Sequence, residues 1–188
     1  MDIKLPSCLL VLAMMSGCSD NVCQSDPTTD FNVALESLIK SRDESLSLQL
    51  IQNGLDVNYQ NNCGASLLHI STIVGNEPLV TLLLSKSANP NVLNWQGESP
   101  VYMAAQWAED DILIKLLQAG ATPNLVAGEA AFSPLMIAVF NENMSTVEIL
   151  IAHGANTDFV NENGLSASSI ARENGYEEIL AALETKVP

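Results

Sequence analysis

The chain has 188 residues, of which 47% are apolar, and 22 acidic against 7 basic side chains give it a formal net charge of −15. A chain this apolar buries enough surface to offset the entropy lost on folding, which excludes a disordered protein. The excess of carboxylates argues against nucleic acid as a partner, because binding to phosphates requires clustered Lys and Arg.

Residues 1–17 have the composition of a secretory signal peptide. The apolar run at residues 8–15 is too short to remain as a helix across ~30 Å of hydrocarbon. The ending Ser16-Gly17-Cys18 resembles a bacterial lipobox, which implies cleavage before Cys18 and lipidation of that cysteine. Since Ser19 follows, the resemblance implies a periplasmic protein anchored to the outer membrane. The alternative is an ordinary signal peptide cleaved nearby. Residues 18–30 are polar and predict a tether.

Residues 31–185 contain a repeat of about 33 residues. One set of equivalent positions follows the end of an apolar helical pattern and consists of Gly54, Ser87, Gly120 and Gly154. A second set of equivalent positions marks the start of another helix and consists of Ser66, Ser99, Ser133 and Ser166. Because both sets recur with the same period, the sequence predicts an array of similar units rather than a single non-repetitive domain.

Each unit is predicted to hold two helices. Ser66, Ser99 and Ser133 stand where a hydroxyl caps a first helix, and Pro100 and Pro134 follow at the first helical position. Second helices are predicted over 79–84, 112–117 and 146–151, where apolar residues recur at i, i+3 and i+4. A single unit cannot bury its apolar face alone, so the units are expected to stack.

The segments Ser66-Leu67-Leu68-His69 and Ser99-Pro100-Val101-Tyr102 resemble the Thr-Pro-Leu-His signature of the ankyrin repeat. This resemblance implies an all-α solenoid of about five helix-turn-helix units joined by β-turn fingers. The predicted units are 31–60 (an N-terminal cap), 61–94, 95–124, 125–160 and 161–185 (a C-terminal cap). The third finger, 125–132, carries one extra residue and has no Asn-x-x-Gly turn.

No pattern of catalytic residues is found. His69 occupies the signature position, where an imidazole is expected to bond to nearby turn backbone, and His153 is expected to be solvated beside Gly154. Paired-histidine, phosphate-loop and serine-nucleophile motifs are absent from the sequence. We therefore predict no catalytic residue, no cofactor, no metal site and no enzyme activity.

Two cysteines remain if Cys8 leaves with the signal peptide and Cys18 carries lipid. Cys23 and Cys63 then form an even pair in an oxidising compartment, which makes them a candidate disulfide. Such a bond would close a loop of about 40 residues, worth ~4 kcal/mol in the chain-entropy model. The alternative is two free thiols, with Cys63 an ordinary turn residue.

The resemblance implies that a protein partner binds to the finger tips and to the exposed concave side of the first helices. The positions that vary in the family pattern are Ile73, Val74, Trp95, Gln96, Glu98, Gln106, Trp107, Phe132, Phe140, Asn141, Glu162 and Glu173. Any one of them alone could be ordinary packing, including Phe132 inside its irregular finger.

Five of these positions are expected to form one apolar stripe across three units, with an exposed Trp107 at its centre. They are Ile73, Val74, Trp95, Trp107 and Phe140. Aromatic side chains are enriched in interface cores, and a large exposed apolar patch usually marks a binding site. Because Glu98, Glu162 and Glu173 lie on the same side, the expected partner has an apolar knob inside a basic rim.

The architecture is similar to that of immunity proteins paired with phospholipase effectors of bacterial type VI secretion systems. This similarity predicts a membrane-anchored periplasmic binding protein that neutralises such an effector. The alternative is a housekeeping periplasmic ankyrin protein that supports a stress-response or envelope enzyme such as catalase.

Overall fold

The computed structural model describes residues 44–61 and 64–185. Over these residues the fold consists of nine α-helices, and its extended segments form only isolated β-bridges. The helices are α1 (Glu44–Gln52), α2 (Leu67–Ile73), α3 (Glu77–Ser85), α4 (Pro100–Trp107), α5 (Asp110–Gln118), α6 (Pro134–Phe140), α7 (Met144–Ala152), α8 (Ala167–Asn174) and α9 (Glu177–Glu184). The fold is an all-α repeat solenoid, as the sequence predicts.

The helices form two layers. The first helices of successive units, α2, α4, α6 and α8, contact one another in chain order. The second helices, α1, α3, α5, α7 and α9, form the other layer in the same order. Fully buried alanines, among them Ala104, Ala105 and Ala138, line the first-helix layer and allow neighbouring helices to approach closely.

Serine caps set the start of every described first helix. The Oγ atoms of Ser99 and Ser133 accept hydrogen bonds from backbone N–H groups three residues later, at 3.1 and 3.2 Å. Pro100 and Pro134 occupy the first helical positions, where the missing N–H removes no helical bond. These features confirm the predicted helix starts, because each one satisfies or avoids a free amide of the first turn.

A ladder of asparagine side chains joins neighbouring units at the turns after the second helices. Asn58 Oδ1 accepts from Asn89 N–H at 2.7 Å, and Asn124 Oδ1 accepts from Asn156 N–H at 2.8 Å. Between them, Asn91 Oδ1 accepts from the N–H of Thr122 at 2.8 Å. The same repeat position thus supplies one inter-unit hydrogen bond after another, and we call this set the asparagine ladder.

The extra residue of the third finger is absorbed locally. Ala127 and Phe132 exchange two backbone hydrogen bonds, of 2.8 and 3.0 Å, and close a small hairpin. Ala131 inside it adopts a positive φ of 49°. Ser133 then caps α6 as the other serines cap their helices, so the longer finger leaves the helix layers in register.

Several predictions concern parts of the chain outside the described residues. These are the signal peptide, the tether, lipidation of Cys18 and the candidate Cys23–Cys63 disulfide, and of the first predicted unit only the part from residue 44 is described. Among the residues that are described, no helix has both the length and the apolar character needed to cross a membrane.

Candidate protein-binding surface

The second finger presents an exposed tryptophan. Asn94 Oδ1 accepts hydrogen bonds from the N–H groups of Gln96 and Glu98 at 3.0 and 2.9 Å, and Gly97 takes the positive φ of 75° that closes the turn. Trp95 lies at the tip with 60% of its surface exposed, and Gln96 beside it is also exposed. The turn is therefore held by its own asparagine while the indole remains available to a partner.

An exposed phenylalanine ends the first helix of the next unit. Phe140 is the last residue of α6 and is 58% exposed. The ring of Phe132 meets it edge-on, with centroids 6.5 Å apart, and itself packs against the core. Phe132 thus packs between the core and the ring of Phe140. Phe132 can fill a packing role while the exposed Phe140 remains available to a partner.

The adjoining positions join two units directly. Asn141, which is exposed, donates from Nδ2 to the carbonyl of Gln106 at 3.0 Å, and Gln106 itself is half-buried. This bond fixes the end of α6 against the end of α4. Two of the predicted partner-binding positions are therefore in direct contact across the boundary between these units.

Trp107 is less exposed than the sequence analysis expects. It is half-buried at the end of α4, and Val74, at the same repeat position of the preceding unit, is half-buried as well. Ile73 at the end of α2 is also half-buried. Trp95 and Phe140 are therefore the most exposed aromatic anchors among the predicted positions.

The three predicted acidic residues differ in their surroundings. Glu162 and Glu173 are exposed, whereas Glu98 is half-buried and its Oε2 accepts from Asn94 Nδ2 at 2.7 Å. Glu98 therefore stabilises the second finger and contributes less free charge to the rim than the other two.

Burial, together with the nearby Glu98 charge, raises the pKa of Tyr102 to about 12.

His69 joins its own helix cap to the next finger. Its Nδ1 lies 3.1 Å from the backbone nitrogen of Ser66, which can only donate, so Nδ1 is the acceptor. The proton then sits on Nε2, which donates to the carbonyl of Glu98 at 3.1 Å. Burial lowers the pKa of this imidazole to about 4, so the ring is neutral at pH 7. The predicted bonding of His69 to turn backbone is confirmed.

His153 follows α7 as its capping residue and is exposed. Its Nδ1 lies 2.8 Å from the carbonyl oxygen of Ile149 and donates to it. This is the solvated position near a helix end that the sequence predicts. Over the described stretches 44–61 and 64–185, no three His, Cys, Asp or Glu side chains come together as metal ligands would.

Comparison with known families matches the same repeats. The profile described as "Ankyrin repeats (3 copies)" matches residues 35–127, and that described as "Ankyrin repeat" matches residues 132–162. The chain belongs to the ankyrin repeat family. Ankyrin repeats are protein–protein interaction modules and typically not enzymes, so the chain is a protein-binding module.

Individual relatives are 27–31% identical to this chain over the segments that align with it. An ankyrin repeat protein of Rickettsia bellii is 31% identical over 62% of this chain and 35% of its own length. A protein of Danio rerio named as a palmitoyltransferase is 29% identical over 69% of this chain, and a mitochondrial disaggregase of Bos taurus 27% over 87%. The chain spans only 20% and 24% of these last two proteins.

The ankyrin fingers carry a row of apolar residues that the sequence analysis missed. Leu93, Val126 and Val160 occupy one repeat position at the base of successive fingers and are 42%, 39% and 56% exposed. Their spacing of 33 and 34 residues could have revealed them in the sequence. Solvated turn positions are rarely occupied by branched apolar side chains in three successive units. These three side chains add exposed apolar surface to the finger segments.

Proposed function

We propose that this ankyrin protein is a periplasmic immunity protein, anchored by lipid at Cys18, that binds and neutralises a phospholipase-type secretion effector. The observation that carries the binding role is the exposure of Trp95 and Phe140, at 60% and 58%, together with that of Leu93, Val126 and Val160. Large aromatic side chains left in water cost free energy, which a partner recovers by covering them.

The charge of the protein supports a basic partner. The net charge is −15, and Glu162 and Glu173, at two of the predicted partner-binding positions, are exposed. An acidic rim attracts a cationic partner over several ångströms and accelerates association at low salt. A basic rim around an apolar knob on the effector would match both features.

The anchor is supported by the Ser16-Gly17-Cys18 ending of the signal sequence. An effector that attacks membrane lipid works at the membrane surface. Tethering its inhibitor there raises the effective concentration of inhibitor where the toxin acts. The Cys18→Ser variant is therefore expected to protect cells less well than the wild type at equal abundance.

Protection of bacterial cells tests the proposal. The full-length gene is co-expressed with a phospholipase-type effector directed to the periplasm, and survival and complex formation are measured. The Trp95→Ala/Phe140→Ala variant is expected to lose ~2 kcal/mol or more of binding free energy and to lose protection. The matched control is Gln118→Ala, on the exposed face of α5 in the other helix layer.

Two results would overturn the proposal. One is full protection by the double variant, which would remove this surface as the interface. The other is specific capture of a catalase or another envelope enzyme with no binding to the lipase, which would support the housekeeping alternative.

A further inference from the structure

An open groove lies in the layer of second helices, between α7 and α9 of the last two units. Its volume is about 480 Å³, within the range of sites that hold ligands. Met144, Glu148 and Ile151 line it from α7, and Glu178, Ala181 and Ala182 line it from α9. We call it the α7/α9 groove.

Two units earlier, an ion pair crosses the corresponding space. Glu77, the first residue of α3, meets Lys115, the sixth residue of α5, at 3.3 Å. The equivalent positions in α7 and α9 are Met144 and Ala182. A charged crossing is thus replaced by an apolar and a small side chain, which leaves the α7/α9 groove apolar and unbridged at this point.

The rim of the groove is negative. Glu148 and Glu178 are exposed, and within the described parts of the chain neither forms an ion pair or hydrogen bond through its carboxylate. Residues 141–185 contain eight carboxylate side chains and one cation, Arg172. An occupant that carries positive charge on both sides of an apolar strip would complement this rim.

The shape of the groove fits a helix. The lining residues lie at i, i+4 and i+7 on α7, which is one face over about two turns or ~10 Å. On α9 they lie at i, i+3 and i+4, which is one face over little more than one turn. Ala181 and Ala182 keep one wall low, which allows a third helix to approach closely. An elongated apolar trough between two parallel walls is typical of helix-in-groove recognition.

We propose that the α7/α9 groove docks a short amphipathic helix of a partner protein, with an apolar stripe flanked on both sides by Lys or Arg. The apolar stripe packs on Met144, Ile151 and the alanines. The flanking cations pair with Glu148 and Glu178. This site lies on other residues than the finger and first-helix surface, so it is independent of the proposed immunity function.

A defined peptide tests the proposal. The probe is a fluorescein-labelled 15-residue helical peptide with leucines at i, i+4 and i+7 and lysines beside them, titrated onto the purified full chain. A photo-crosslinking version is expected to attach to α7 and α9. A second peptide with every lysine replaced by glutamate is expected to bind at least tenfold more weakly.

A matched variant closes the groove without changing the net charge. Met144→Glu/Ala182→Lys installs the pair found at Glu77 and Lys115, and about a tenfold or greater loss of peptide affinity is expected. Trp95→Ala/Phe140→Ala is expected to bind the peptide like the wild type, which separates this site from the finger surface. Because Met144 packs against the core, Ala181→Gln provides a second obstruction at an exposed position.

Several results would overturn the docking site. These are unchanged affinity in both obstructed variants, crosslinks outside α7 and α9, or equal binding of the glutamate peptide. A self-associating wild type whose dimer is abolished by Met144→Glu/Ala182→Lys would assign the groove to a second copy of this chain instead.

Discussion

At the scale of single residues, the buried imidazole of His69 makes folding depend on pH. The folded state lowers its pKa from 6.5 to about 4, so the unfolded chain binds the proton first as the pH falls. A group whose folded pKa is depressed contributes its full stability above 6.5 and loses it as the pH falls towards 4. The shift corresponds to about 3 kcal/mol at most.

We expect the free energy of unfolding in urea to fall by about 2 kcal/mol through His69 alone between pH 7 and pH 4.5. The His69→Gln variant keeps polar groups at the site but cannot titrate there, so its stability should change less over this range. Carboxylates titrate in both proteins, and the difference between the two profiles isolates the imidazole. Parallel profiles would contradict the assignment.

Ser87 takes a backbone conformation that suits glycine. Its φ is +63°, at the position where the other units have Gly54, Gly120 and Gly154 with φ between 84° and 96°. A left-handed conformation costs a residue with a Cβ atom about 1–2 kcal/mol in the folded state. Replacement by Gly removes this cost, but the greater conformational entropy of Gly in the unfolded chain offsets part of the gain.

Ser87→Gly is therefore expected to raise the free energy of unfolding by about 0.5–1 kcal/mol. Ser85→Gly, at the last residue of α3, is the control and is expected to lower it by about 0.5 kcal/mol. Urea unfolding of both variants measures the difference. Destabilisation by both substitutions would show that the Ser87 side chain does more than occupy the turn.

At the scale of elements, the asparagine ladder couples each unit to the next. Asn91 both accepts from Thr122 N–H at 2.8 Å and donates from Nδ2 to the carbonyl of Gly120 at 3.2 Å. Asn124 repeats the second bond one unit later, to Gly154 at 3.1 Å. Because a solenoid depends on nearest-neighbour contacts, loss of one rung weakens a whole unit boundary.

Asn91→Ala is expected to destabilise the fold by about 1–2 kcal/mol, since the Thr122 amide loses its acceptor. Asn91→Asp retains an acceptor oxygen but no donor and should cost less. Gln118→Ala, at an exposed site of α5, serves as the neutral control. Chemical unfolding decides the ranking, and equal costs for Asn91→Ala and Gln118→Ala would contradict the role of the ladder.

Local signals in the sequence account for most of the helical framework. Serine caps and following prolines act within one turn of the chain, so the starts of α4 and α6 could be predicted without knowledge of the packing. The exposure of Trp107 and the edge-on contact of Phe132 with Phe140 could not, because both depend on how neighbouring units meet. The same reason hid the α7/α9 groove, whose named lining residues on the two helices are 27 to 38 positions apart along the chain.

At the scale of the whole molecule, the negative charge opposes the compact state. The chain carries −15, while the Lys115–Glu77 contact joins two partly exposed side chains and is worth little. Folding brings the remaining carboxylates closer together, and their repulsion is screened by salt over a Debye length of about 10 Å at 0.1 M.

Raising NaCl from 20 mM to 500 mM at pH 7 is expected to increase the free energy of unfolding in urea by on the order of 1 kcal/mol. A Glu148→Gln/Glu173→Gln/Glu184→Gln variant removes three exposed charges and should respond less to salt. Lower stability at high salt would show instead that attractive ion pairs dominate.

The hairpin between Ala127 and Phe132 has a consequence for engineering. It accommodates one residue more than the neighbouring fingers, yet α6 begins at its usual cap and stays in register with the helix layers. The length of this finger is thus uncoupled from the spacing of the helices. A foreign epitope or a recognition loop could be grafted between Ala127 and Phe132, and the flanking helices would present it without being redesigned.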